Sequence, residues 1–213
     1  MVGYALGRSR RRIDRAYAFQ NRGEALLTLH AQKHFRAPDY HLLNHVTLPF
    51  EGGTTQVDHI LVSRFGVFVI ETKDYKGWIF ANAKSASWTQ VLFNGKFEFQ
   101  NPVFQNLLHV RAVRELLDFL PADAVKSIVV FTGDAEFRTE VPDGVFGLPG
   151  FLEHVGAQKD EVMSVNRVQF CVGRLEMARL AISEATDVEH VQNLRRRHGG
   201  TWQVRDERVD PRF

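Results

Sequence analysis

The 213 residues carry 27 Lys and Arg against 25 Asp and Glu, so no whole-chain field draws the protein to nucleic acid, and such binding would need a local patch. Hydrophobic residues make up 44% of the chain and include 17 Phe, enough for a sizeable core in one domain or a domain with an appendage. One cysteine, Cys171, excludes an intramolecular disulfide framework and a cysteine-rich zinc module, and no apolar run reaches the roughly 18 residues of a membrane span or makes a secretory leader; a soluble, cytoplasmic protein with no membrane partner is expected.

Residues 1–15 form a basic arm with Arg8, Arg10, Arg11, Arg12 and Arg15, read as solvated, with phosphate contact by Arg11 and Arg12 as the alternative. Helical patterning follows from about Asp14 to Phe35. Gly23 inside that helix costs about 1 kcal/mol against alanine, which a tight packing contact would justify. After Pro38 come "HVTLPFE", "TTQVDHILVS", "VFVIETK", "GWIFAN" and "SWTQVLF", a meander of short strands separated by turn residues.

"QNPVFQNLLHVRAVRELLDFL" switches to helical period, with Val103, Leu107, Val110, Val113 and Leu117 on one apolar stripe. Asn101 suits the N-cap and Pro102 the first helical position. "KSIVVFTG" has the continuous apolar character of a strand covered on both faces. A short helix near Phe151 to Val155, helices from about Arg167 to Glu184 and Asp187 to Arg197, and a polar tail complete the chain. The order implies an α/β sandwich around a mixed sheet, with the first helix on one side and the Asn101-capped helix on the other.

The apolar strands contain Asp58, Glu71 and Lys73. Alternation puts Asp58 on a face with Gln56 and Ile60, and Glu71 on a face with Val69 and Lys73. These faces coincide if the connection has two or four residues, or if a bulge intervenes, for which Gly66 is well placed; a three-residue loop separates the carboxylates. Two carboxylates about 5 Å apart repel by roughly 3 kcal/mol at an effective dielectric near 20. A shared proton, the Lys73 ammonium or a divalent cation would relieve this. Oxygen donors without a His or Cys cluster point to Mg²⁺ or Mn²⁺ rather than zinc. Spacing alone favours a plainer explanation, a salt-bridged patch on a half-exposed sheet face.

Asp58 followed by the Glu-x-Lys of "ETK" resembles the active-site pattern of the PD-(D/E)xK nuclease superfamily. "QVDHILVSRFGVFVIETKDYKGWI" is similar to the centre of its nuclease-related (NERD) domain, "NRGE" to that family's first-helix motif, and "QNPVFQNLLHVRAV" to its Asn-Pro-x-x-Gln helix. The resemblance covers roughly residues 18 to 132. It shifts the balance to a nuclease and implies a restriction-endonuclease-like mixed β-sheet flanked by helices, with a helical C-terminal part. The divisions would be the 1–15 arm, a NERD-like domain at 16–156, C-terminal helices at 157–198 packed on it, and the 199–213 tail.

The implied activity is Mg²⁺- or Mn²⁺-dependent hydrolysis of phosphodiester bonds, in DNA rather than RNA. Asp58 and Glu71 would be the principal metal ligands, with Glu24 an additional acid that binds or orients the metal, and Lys73 the catalytic lysine. Gln105 would lie near the scissile phosphate and Gln56 would line the pocket. A helicase or another DNA-processing protein is the partner class the family suggests. The rival is a catalytically silent nucleic-acid-binding or partner-docking module of the same fold; a third reading, from the apolar C-terminal helices, is a homodimerising structural domain.

Lys76, Trp78, Lys84, Trp88 and Lys96 interleave basic and aromatic residues that would track a nucleic-acid backbone, against core roles for the tryptophans and edge protection by the lysines. His109 reads as a satisfied core or boundary histidine, and His30 with His34 as a ligand pair lacking a third member. His59 should face away from Asp58, and Cys171 should be a small buried apolar residue.

Overall fold

The computed structural model describes residues 20–197, with side chains to residue 193. The basic arm with Arg11 and Arg12, the beginning expected for the first helix and the polar tail lie outside the described residues. A five-stranded sheet runs in the order β1 (Tyr40–Phe50), β2 (Gly53–Ser63), β3 (Gly66–Lys73), β7 (Val125–Phe131), β9 (Val145–Gly147). The first three strands are antiparallel, whereas β3, β7 and β9 are parallel. The sheet is mixed, as expected, but a second sheet stands beside it: β6 (Gly95–Gln100), β5 (Ser87–Leu92), β4 (Gly77–Phe80) and β8 (Ala135–Phe137).

Helix α1 (Arg22–His34) covers one face of the large sheet with α3 (Leu148–Gly156). Leu27, Ala31, Phe151 and Val155 meet Leu61, Phe68, Ile70, Ile128 and Val130 there. Helices α2 (Pro102–Leu116) and α4 (Val165–Ala178) cover the other face, where Val110, Val113, Val168, Cys171 and Leu175 join Ile60, Val62, Val67 and Val69. Helix α5 (Glu184–Arg197) ends the described chain. The smaller sheet buries Ile79 and Trp88 against Val129, Phe131 and Val145. With helices on both sides, β3 has every residue buried, and its run of Val, Phe and Ile follows from that.

Three strands escaped the sequence reading, β6, β8 and β9, because β6 alternates polar and half-buried residues and the other two span only three residues each. The apolar stripe of α2 also needs correction. Val110, Val113 and Leu117 are buried, but Leu107 is 45% exposed, and the helix turns the polar Asn106 and His109 inward instead. The helix expected to continue to Glu184 stops at Ala178, and Arg179 leaves in an extended conformation.

The N-cap of α2 is as expected: Asn101 Oδ1 accepts from the Val103 amide at 2.9 Å, and Pro102 follows. Gly23 has its packing reason. A Cβ there would stand 2.5 Å from Thr132 Oγ1 and 2.7 Å from the Asp74 Cβ. Only glycine lets the start of α1 come this close to the ends of β3 and β7.

Candidate active site

The connection between β2 and β3 has two residues, Arg64 and Phe65, with Ser63 paired to Gly66. This is the even-length loop that brings Ile60 and Val69 to one face, and Gly66, at φ 140°, closes the turn rather than forming a bulge. The break in alternation lies further down. Val57 and Ile60 share one core cluster, as do Leu43 and Val46 on the neighbouring strand, although each pair is three residues apart. Pairing keeps one register on both sides, Asn44 with His59 and Val46 with Val57. His45 and Asp58 are therefore the extra residue on each strand, a matched pair of bulges that re-aims the Asp58 side chain. His45 sits at φ 50°, a left-handed conformation that costs a non-glycine residue on the order of 1–3 kcal/mol.

Strand β2 parts from β3 at the same point. Their ladder ends at His59 with Ile70, while β3 continues beside β7 as far as Lys73 with Phe131. The Thr72 amide thus loses a strand partner and donates to Asp58 Oδ2 at 2.7 Å. The next residues on β3 supply the other charges. Lys73 Nζ is 2.9 Å from Glu71 Oε1, and both side chains are almost wholly buried. Glu71 Oε2 lies 3.2 Å from His109 Nε2 without the alignment of a hydrogen bond. His109 is fixed from its other ring nitrogen by Thr55 Oγ1 at 2.7 Å. One turn earlier, Asn106 Nδ2 lies within bonding distance of Val69 O, Ser127 Oγ and Ile128 O, pinning α2 to β3 and β7.

Glu24 enters from the first turn of α1. Asn21 caps the helix by accepting from the Glu24 amide, and its side-chain amide donates back to Glu24 Oε1. Asp58 keeps partial solvent contact. Its pKa is nonetheless raised well above the usual aspartate value, first by loss of solvation and then by the Glu71 and Glu24 charges, with Lys73 and the Thr72 amide opposing. For Glu71, burial alone would raise the pKa, but Lys73 and His109 outweigh it and hold the carboxyl at about 2. The site therefore sets a carboxylate that stays charged beside one pushed toward its neutral form.

Among the described residues no group of three or more His, Cys, Asp and Glu side chains is arranged to hold a metal ion. The donors near the strand split are carboxylate oxygens, and Glu71 Oε2 lacks a hydrogen-bond partner. That set suits a hard divalent ion that uses one or two protein carboxylates and completes its shell with water, and does not suit zinc.

The remaining expected site residues are placed differently. Gln105 is half-buried on α2, one turn before His109. Gln56 does not follow Asp58 to a common face, because the bulge intervenes; its Nε2 lies near Asp187 Oδ1 at 3.0 Å, His45 Nε2 and Thr47 Oγ1. Lys76 is exposed in the link after β3. Trp78 is 48% exposed on β4, with the Arg138 guanidinium 4.9 Å from its ring centre. Trp88 is core. His34 Nδ1 donates to the His30 carbonyl, and no third His, Cys, Asp or Glu joins these two in a metal-holding group among the described residues. His59, expected only to face away from Asp58, points to α1, where it contacts Thr28 Oγ1 and the Glu24 carbonyl. The sequence reading missed His109 as a member of the site and Asn106 as its support. The i, i+3 spacing of two polar residues inside an apolar stripe was the available signal.

An uncharacterized protein of Bacillus anthracis is 49% identical over 80 residues, which are 37% of this chain and 38% of that protein's length. No solved structure matches the chain. The family model for the nuclease-related domain matches residues 20–132, which hold α1, the strand split, Lys73 and α2, and the chain belongs to that nuclease-related (NERD) family.

Proposed function

We propose that the protein is a divalent-metal-dependent phosphodiesterase acting on DNA, with Asp58, Glu71 and Lys73 as its reacting centre and Glu24 in support. The observation that carries this reading is the strand split, which delivers two carboxylates of opposed acid strength and a lysine to one place. Asp58 and Glu71 would hold Mg²⁺ or Mn²⁺, which when bound supplies charge neutralisation at a phosphoryl oxygen and a more acidic water. The chain's own residues do the rest. Lys73 places a positive charge where negative charge grows on the phosphate, and orients the attacking water. His109, held by Thr55, fixes Glu71 so that its orientation does not depend on substrate. Gln105, one turn earlier on the same helix, would face the phosphate, and exposed Lys76 and Trp78 would extend the contact surface beyond the end of β3.

The test is cleavage of single- and double-stranded DNA with Mg²⁺ or Mn²⁺ by the wild type, Asp58→Asn and Glu71→Gln. Metal-dependent cleavage by the wild type and at least a hundredfold loss in each variant are expected, with near-unchanged thermal unfolding in Asp58→Asn and a lowered but still cooperative transition in Glu71→Gln, which strips buried Lys73 of its counter-charge. A variant that cuts at the wild-type rate removes that residue from the site.

One observation favours a second reading: both oxygens of Glu71 already face cationic partners, Lys73 and, when protonated, His109. A silent module that binds nucleic acid through its N-terminal arginines would keep such a network for folding alone. DNA binding that weakens with salt, needs no divalent ion and leads to no cleavage would establish it.

A further inference from the structure

The paired bulge at His45 and Asp58 frees backbone groups and strains one residue, and a segment outside the family match closes around it. Arg179 Nη2 lies 2.9 Å from both the Asn44 and the His45 carbonyl oxygens and donates to them, while its Nη1 donates to Glu176. The next amide, Leu180 N, donates to Thr47 O at 2.9 Å. Seven residues on, Asp187 of α5 reaches back to the same place. Its Oδ1 lies 3.1 Å from His45 Nε2 and accepts from Gln56 Nε2, so one carboxylate joins the strand residue opposite Asp58 to the residue two before it. His190, one turn later, meets Thr54 Oγ1 at 2.9 Å. The Arg179, Asp187 and His45 side chains are each less than 10% exposed. These contacts fall on residues 44, 45 and 47 of β1 and on 54 and 56 of β2, the two strands that carry the distortion.

We propose that residues 179–187 are a clamp that holds the bulge in its strained form and so sets the position of the Asp58 carboxylate, with Arg179 and Asp187 as positioning residues. The importance of that position rests on the nuclease reading given above. The physical reason is that a left-handed histidine and two freed carbonyls do not persist by themselves; surrounding bonds must over-determine them. Without Arg179 and Asp187, the bulge relaxes toward regular alternation. Asp58 then turns away from the end of β3, and the Thr72 amide loses its acceptor.

The Thr72 amide reports that event directly, because its hydrogen bond goes to Asp58 Oδ2. Amide hydrogen exchange and the ¹⁵N–¹H shift of Thr72 should be recorded in the full chain for the wild type, Arg179→Met, Asp187→Asn and the exposed control Val188→Ala. Asp58→Ala sets the shift expected when the carboxylate is absent, and the β7 amides of Ile128 and Val130 serve as the reference for the fold. Expected are Thr72 exchange at least tenfold faster in Arg179→Met and at least threefold faster in Asp187→Asn, its shift moving toward that of Asp58→Ala, with the β7 amides and the Val188→Ala control unchanged. Asp187→Asn is isosteric, so it decides the matter even if Arg179→Met fails to fold. Thr72 unmoved in Asp187→Asn, or moving only in step with β7, overturns the clamp. Failure of the nuclease reading is separate: a wild type that never cuts DNA defeats that reading and leaves the Thr72 result standing, whereas an active enzyme with an unmoved Thr72 defeats the clamp alone.

Discussion

His59 shows how one residue ties the site to stability. It is wholly buried between α1 and β3, with Thr28 Oγ1 at 3.0 Å and Thr72 Oγ1 at 3.3 Å, and burial lowers its pKa to about 3. The unfolded chain takes up a proton at this ring once the pH falls below about 6.5, and the folded chain resists until about 3. Its contribution is therefore complete above 6.5 and is lost as pH falls through that window, by as much as about 1.4 kcal/mol per unit. Urea unfolding at pH 7.5 and pH 5 should show the wild type losing about 2 kcal/mol more than His59→Gln over that interval. Equal losses would mean the ring is protonated in the folded protein. His59 was legible as a residue that faces away from Asp58, because its neighbours Ile60 and Leu61 divide cleanly between the two cores. His109 was not, since a histidine on a helix stripe carries no mark of the carboxylate that will meet it.

At the scale of elements, the Gly-Glu pair at the start of α1 acts as one device. Gly23 allows the helix to approach Asp74 and Thr132, and that approach brings Glu24 close enough to raise the Asp58 pKa. Alanine at this position should gain about 1 kcal/mol in helix propensity and lose about 1–3 kcal/mol to overpacking, so Gly23→Ala is expected to be destabilising overall. Chemical denaturation measures the balance, and a stabilised variant would mean that the helix moves away freely. Strands were read best where they alternate or are continuously apolar, as β2, β3 and β7 are. The three-residue β8 and β9 owe their existence to a neighbouring strand, which no local pattern records.

For the whole molecule, the question is whether the C-terminal helices are an addition or part of the core. Leu175 of α4 is wholly buried in the cluster that contains Val110 and Val113 of α2 and Val67 and Val69 of β3. Leu175→Ala should therefore cost about 2–5 kcal/mol. Trp88 is buried in the smaller sheet, away from α4, so in a Trp78→Phe, Trp202→Phe background its fluorescence samples a distant part of the fold. Its unfolding curve should shift together with far-ultraviolet circular dichroism in that variant; a Trp88 transition left in place would show that α4 unfolds separately. Among the described residues no helix is long and apolar enough to cross a membrane.

The sequence by itself determined the elements whose signals are local: the Asn101 cap, the apolar strands, and the motifs that placed Asp58, Glu71, Lys73 and Glu24 in one family pattern. Alternation even posed the right question about the loop, which the two residues Arg64 and Phe65 answer. Tertiary structure alone decided the rest. The bulge at His45 and Asp58 requires two strands to slip out of alternation together, and it is held by Arg179 and Asp187, more than a hundred residues away in the chain. Periodicity describes a strand relative to itself, so it cannot report a distortion whose cause is a distant partner.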